Sequence, residues 1–156
     1  MNHLHPVRGS CTGFPAWLVL AAAILLLASC SYLPLAGSTA PAGVMVTDYR
    51  DCYELRPATG SLSATGFIFV SGGFVDPAAY IEAMAPIVRA GYPVLIQKVP
   101  GNLAVLDAAG SLALRGKVGG ITRWVVGGHS LGGAMAANTV NANPAAFAGL
   151  VLEAAY

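Results

Sequence analysis

The chain has 156 residues, of which 56% are hydrophobic and 10% charged, and its mean hydropathy is +0.66. This composition excludes a disordered chain, and the glycines and charges lack the periods of collagen or a coiled coil. Eight basic and seven acidic residues give a formal net charge of +1 without a basic run, which argues against nucleic acid as a partner. We expect one globular domain preceded by an apolar segment.

The first 30 residues have the organisation of a secretion signal. Arg8 precedes an uncharged apolar run of 13 residues, Ala16 to Ala28, which is shorter than a membrane-spanning helix. The run leads into Leu27-Ala28-Ser29-Cys30, which resembles a bacterial lipobox. The resemblance implies that residues 1–29 are a signal peptide and that Cys30 is acylated. An uncleaved membrane anchor and ordinary secretion remain the alternatives.

Residues 30–43 would then be the lipidated cysteine and a tether, because this stretch is rich in Pro, Ser, Gly and Ala. Acyl chains on Cys30 would hold the protein on a membrane without a spanning helix. The lipobox therefore predicts a location in the bacterial cell envelope, on the outer membrane or on the periplasmic face of a membrane.

From residue 44 onward, short β-rich runs alternate with helical runs, which predicts an α/β fold with a mostly parallel sheet and helices on both faces. The predicted strands are a first strand or hairpin arm in 44–55, then 66–70 (GFIFV), 92–99, 123–126 (RWVV) and 150–152. The predicted helices are a run from the N-cap Asp76 to Gly91, a weaker one over 103–114 and one over 131–141.

The clearest chemical motif is Gly128-His129-Ser130-Leu131-Gly132, a G-x-S-x-G sequence between a predicted strand and a predicted helix. Such a turn exposes the serine hydroxyl, and glycines two positions before and after it leave room for the tight backbone. The amide of Leu131, at the start of the helix, would face an oxyanion formed at Ser130. A glycine-rich turn that only permits close packing is the alternative.

With these landmarks in order, residues 66–156 resemble an α/β-hydrolase, of the small bacterial "fold-5" or dienelactone-hydrolase-like branch of serine hydrolases. The resemblance implies that Ser130 is the nucleophile and that a second oxyanion amide comes from Gly73 or Phe74, in the loop after GFIFV. It implies that His129 is a wall of the site. It also implies acyl transfer on a small-molecule or lipid ester, with no metal or organic cofactor.

The resemblance is partial, because the family's triad runs Ser, acid, His along the chain, and no histidine follows Ser130. We therefore expect residues 44–156 to be the N-terminal part of a hydrolase domain that lacks the last strands and helix and is inactive as given. Glu153 is a candidate for the acid, because some lipases place theirs after the corresponding strand. The alternative is a lipoprotein that keeps the half-fold as a non-catalytic binding or structural module.

Overall fold

A six-stranded sheet organises the chain in the computed structural model, which describes residues 40–155. The strands lie in the order β1-β2-β4-β3-β5-β6. Their bounds are β1 Val44–Asp48, β2 Cys52–Pro57, β3 Thr65–Val70, β4 Val94–Gln97, β5 Arg123–His129 and β6 Gly149–Glu153.

Strand direction divides the sheet into two parts. β1 and β2 form an antiparallel hairpin, and β2 is also antiparallel to β4. The pairs β3–β4, β3–β5 and β5–β6 are parallel. Parallel strands place their carboxyl ends at one edge, so the loops after β3, β4 and β5 meet there.

Helices cover both faces of the sheet. Asp76 accepts a hydrogen bond from the Ala78 amide (2.8 Å) and caps a 3-10 turn, Pro77–Tyr80, which leads directly into helix α1, Ile81–Arg89. Helix α2 is Gly110–Leu114 and helix α3 is Leu131–Ala142.

The alternation of side chains along the strands gives each face its own core. On one face, Phe67 and Phe69 of β3 pack with Met84 and Val88 of α1. On the other, Ile68 and Val70 pack with Leu114 of α2, Ala136 of α3 and their neighbours. Strand β3 is therefore buried on both sides, which explains why GFIFV is apolar throughout.

The predicted fold class is confirmed, and most predicted elements are present within a few residues. The weaker helix over 103–114 is the main difference. Gly101 and Asn102 have positive φ values of 61° and 54°, so the chain turns sharply there, and α-helix begins only at Gly110. Before it, Gln97 Nε2 donates to the Asp107 backbone carbonyl and carboxylate (3.1 and 3.2 Å), which anchors this segment to the end of β4.

Two predictions lie outside the described residues: the signal peptide of residues 1–29 with Cys30, and most of the tether. Within residues 40–155, no helix has both the length and the apolar character that crossing a membrane requires.

Candidate active site

Ser130 lies at the junction between β5 and α3, in a backbone conformation that side chains rarely adopt. Its φ is 51° and its ψ is −124°, and its amide donates to the Glu153 carbonyl of the neighbouring strand (2.8 Å). A non-glycine residue in such a region costs about 1–3 kcal/mol, which the surrounding structure must offset. The serine is exposed at the carboxyl edge of the sheet.

The two glycines of the motif let the turn pack against the end of β3. A Cβ added at Gly128 would lie 2.6 Å from the backbone of Gly132, and one at Gly132 would lie 2.3 Å from the carbonyl oxygens of Val70 and Ser71. Both distances are too short for any side chain. The close approach brings the Ser130 turn against the loop that follows β3.

That loop carries the predicted oxyanion residues, and hydrogen bonds distinguish its amides. The Gly72 amide donates to the Tyr80 hydroxyl (3.1 Å), and the Phe74 amide donates to the Asn102 carbonyl (2.8 Å). Within residues 40–155, the amides of Gly73 and Leu131 have no acceptor. These two amides are therefore available to a ligand, whereas that of Phe74 is occupied.

Gly73 lies next to the residue that follows the serine. A Cβ added at Gly73 would be 3.2 Å from Leu131 Cδ2 and 3.9 Å from Leu103 Cδ2. Phe74, the next residue along the chain, has φ 60° and exposes 38% of its surface. The neighbourhood of the two free amides is thus largely apolar.

His129 contacts a tyrosine through one of its ring nitrogens. Its Nδ1 lies 3.1 Å from the Tyr80 hydroxyl, and the two rings are tilted at 49° with centroids 6.1 Å apart. Burial raises the pKa of the Tyr80 hydroxyl above its ordinary value, in spite of the opposing effect of the Gly72 amide. The hydroxyl therefore stays protonated across the neutral range.

The structure brings the predicted residues of the motif together with those of the β3 loop at one edge of the sheet. Glu153 instead lines an apolar groove of about 260 Å³ beside Phe67 and Val151. In the part of the chain that the structure describes, neither the Ser130 hydroxyl nor the Glu153 carboxylate forms a hydrogen bond, and no acidic, Cys and His side chains gather into a metal site.

Two residues of this neighbourhood make contacts that the sequence does not signal. Tyr80 belongs to the apolar face of a predicted helix, and Asn102 precedes a predicted helix. Both act through hydrogen bonds to residues that are distant in the chain or on another loop, and no local pattern signals such bonds.

The sequence model of the alpha/beta hydrolase family matches residues 66–156. This is more than half of the chain, and the protein belongs to the alpha/beta hydrolase family. None of the curated protein sequences matches the chain significantly.

Solved structures agree on the fold. A variant of the esterase rPPE aligns with a TM-score of 0.55 and 20% identity, over 88% of this chain and 50% of that one. Brefeldin A esterase, a bacterial homologue of human hormone-sensitive lipase, aligns with a TM-score of 0.53 and 16% identity, over 93% and 50%. A thermostable esterase from Pseudomonas putida ECU1011 gives 0.51 and 20%, over 88% and 50%. The chain spans half the length of each.

Proposed function

We propose that the protein is a serine hydrolase of carboxylic esters with Ser130 as its nucleophile. The observation that carries the proposal is the strained Ser130 backbone, with φ 51°, in a turn whose glycines have no room for side chains. Strain of this kind is kept where the exposed side chain has a use. The esterase neighbours make an ester the first substrate class to test, as a small molecule or a lipid.

In the proposed reaction, the Ser130 oxygen attacks the ester carbonyl carbon. The negative charge that develops on the carbonyl oxygen is stabilised by the amides of Leu131 and Gly73. Gly73 is preferred to Phe74 because the Phe74 amide already donates to Asn102. The ester C–O bond then breaks, the alcohol leaves with a proton, and water releases the acid from the acyl-serine.

The proton on Ser130 needs a base. His129, the only histidine in residues 40–155, has its Nδ1 engaged by Tyr80. We therefore propose that the base and the acid come from outside the described residues, and that this chain hydrolyses an ester slowly or not at all. Loss of a triad histidine costs on the order of 10⁴–10⁶ in turnover.

The apolar surroundings of Gly73 support an ester with an apolar group next to the carbonyl. The side chains of Leu103 and Leu131 lie close to Gly73, and the next residue, Phe74, is 38% exposed. We further propose that Cys30 carries a lipid and keeps the protein on a membrane of the bacterial cell envelope, where lipid esters are at hand. The lipobox-like sequence before Cys30 supports this part of the proposal.

Acylation of Ser130 with imidazole as an external base tests the function. The full chain is incubated with p-nitrophenyl butyrate, with and without imidazole, and the acyl-serine is located by mass spectrometry. We expect butyrylation of Ser130 that increases with imidazole. Ser130→Ala is expected to abolish it, whereas Ser61→Ala, at an exposed loop serine, is not. Equal p-nitrophenol release by wild type and Ser130→Ala, without an acyl-serine, would favour the binding module.

A further inference from the structure

The Tyr80 hydroxyl is the one side-chain group in the described part of the chain that hydrogen-bonds both to the β3 loop and to the residue before Ser130. It lies 3.1 Å from the Gly72 amide nitrogen and 3.1 Å from His129 Nδ1. Gly72 precedes the proposed oxyanion residue Gly73, and His129 precedes the proposed nucleophile. The Tyr80 hydroxyl oxygen thus connects the loop after β3 with the turn that carries Ser130.

The direction of each hydrogen bond is assigned from the donors and acceptors that surround the Tyr80 oxygen. The Gly72 N–H can only donate, so the Tyr80 oxygen accepts from it. Among residues 40–155 the hydroxyl has one other partner, His129 Nδ1, at 3.1 Å. We assign its single proton to this bond, because a proton donated by Nδ1 would leave the hydroxyl proton without an acceptor there. Nδ1 is then an acceptor, and the neutral imidazole carries its proton on Nε2.

The surroundings leave little freedom to this bridge. A Cβ added at Gly72 would lie 2.8 Å from His129 Nδ1 and 3.1 Å from the Tyr80 hydroxyl, so a side chain there would displace one or both partners of the bridge. The Tyr80 ring packs against Phe69 at a centroid distance of 4.8 Å. Because Phe69 is part of the buried core, this contact holds the Tyr80 ring in place, and the hydroxyl reaches the loop after β3.

The amide of Gly73 lies between two tethered amides. Gly72 before it donates to Tyr80, and Phe74 after it donates to Asn102. A peptide plane whose neighbours are both fixed has a restricted orientation. Preorganised donors stabilise an oxyanion more than mobile donors, because they do not reorganise during the reaction.

We propose that Tyr80 is a positioning residue that, through its bridge between Gly72 and His129, fixes the Gly73 amide relative to Ser130. The inference rests on the proposed function for its catalytic meaning. The bridge itself couples the loop after β3 to the turn that carries Ser130, and this coupling can be measured without catalytic turnover.

Amide hydrogen exchange of the full chain, labelled with ¹⁵N and held in detergent micelles, tests the bridge. In Tyr80→Phe the Gly72 amide loses its acceptor, and we expect its exchange to be about fivefold faster, as for the loss of one ordinary hydrogen bond. Tyr92→Phe is the matched control, because Tyr92 is exposed and its hydroxyl has no partner among residues 40–155. Unchanged Gly72 exchange in a folded Tyr80→Phe variant would overturn the proposal.

A second measurement determines the tautomer of His129 in the wild type. A ¹⁵N-histidine spectrum of the wild type at pH 8 should show His129 protonated at Nε2 and hydrogen-bonded at Nδ1. Protonation at Nδ1 would contradict the assigned direction.

His129→Leu should also speed Gly72 exchange, and the double variant Tyr80→Phe/His129→Leu should exchange no faster than Tyr80→Phe alone. Additive effects would mean that the loop and the turn are not coupled.

The catalytic role of Tyr80 is tested by the rate at which Ser130 is acylated. Tyr80→Phe should slow imidazole-assisted acylation of Ser130 about tenfold, with the half-saturating ester concentration unchanged, because the amide acts in the transition state. Unchanged acylation in this variant would overturn the positioning role. If the wild type forms no acyl-serine, the proposed function fails, and Gly72 exchange still decides the bridge in the Ser130→Ala background.

Discussion

At the scale of single residues, the conformation of Ser130 has a cost that substitution can reveal. Glycine adopts positive φ freely, whereas alanine pays the same steric cost as serine. We expect Ser130→Gly to unfold with a free energy about 1 kcal/mol higher than that of Ser130→Ala, after subtraction of the larger unfolded-state entropy of glycine. Urea denaturation of both variants measures the difference. An alanine variant as stable as the glycine variant would show that the turn is not strained.

Gly132 is constrained by its neighbours rather than by its own dihedral angles. A Cβ there would meet the carbonyl oxygens of Val70 and Ser71 at 2.3 Å, and backbone atoms cannot swing aside. We expect Gly132→Ala to lower the free energy of unfolding by about 3 kcal/mol or more. Gly116→Ala is the matched control, because a Cβ at Gly116 has nothing within 4 Å. Thermal unfolding should leave the control close to wild type, and a similarly small effect of Gly132→Ala would refute the packing argument.

The motif residues could be predicted from the sequence because their physical constraints are local. The glycines around Ser130 and the strand-to-helix change occur within a few positions, and the sequence records both. The sequence could not show that the Phe74 amide is occupied and the Gly73 amide is free. This difference depends on the Asn102 carbonyl, which lies on another loop and is presented by consecutive positive-φ residues.

At the scale of helices and strands, the elements with local sequence signals are predicted correctly, whereas the segment that depends on tertiary contacts is not. GFIFV and RWVV are identified by their apolar runs, and the α1 start by Asp76 and Pro77. The segment after β4 has helix-forming residues, but tertiary bonds from Gln97 to Asp107 favour turns. The helix propensity of this segment is therefore outweighed by tertiary hydrogen bonds, which cannot be recognised in the sequence.

The turn between β1 and β2 is held to the rest of the sheet by ion pairs. Lys98 pairs with Asp48 and Lys117 with Asp51, and the two lysines lie over the rings of Tyr53 and Tyr49. The hydrogen bond from Lys117 holds the pKa of Asp51 below its ordinary value. A depressed carboxyl pKa stabilises the fold above the unfolded-state pKa, and this contribution is lost as the pH falls through the folded-state pKa.

Asp51→Asn should therefore destabilise the protein at pH 7 and have no effect at pH 2. Because the pair is largely exposed, the difference at pH 7 should be below about 1 kcal/mol. Thermal unfolding at the two pH values measures it. Thr59→Ala, in the exposed loop after β2, controls for a general surface effect. An equal loss at both pH values would show that Asp51 acts by packing and not by charge.

At the scale of the whole molecule, the proposed lipid anchor determines where the protein resides. Expression in a bacterial host with labelled palmitate should label the chain, and Cys30→Ala should abolish both the label and the membrane retention. Cys52→Ala is the matched control, because Cys52 is buried in the core. Membrane retention of Cys30→Ala without cleavage would favour an uncleaved anchor instead. Ser31 follows the cysteine where an inner-membrane retention signal would place Asp, so we expect outer-membrane fractions to carry the label.

The sheet of the described residues ends at β6, which pairs with β5 on one side only. Its apolar side chains Leu150, Val151 and Leu152 are 37%, 45% and 49% exposed, and Val151 borders the apolar groove on the α1 face. An apolar strand with unpaired amides associates readily with other chains. A fragment of residues 31–156 should therefore dimerise, aggregate or bind the hydrophobic dye ANS.

A charge on this strand should reduce the association. We expect Val151→Lys to shift the fragment towards a monomer in size-exclusion chromatography with light scattering, because lysine disfavours edge-to-edge pairing. Leu106→Lys is the matched control, since Leu106 is 60% exposed but lies outside the sheet. A wild-type fragment that is monomeric, melts sharply and does not bind ANS would show that these residues fold stably on their own, and it would favour a binding module over a hydrolase. Equal effects of the two lysines would place the contact elsewhere than β6.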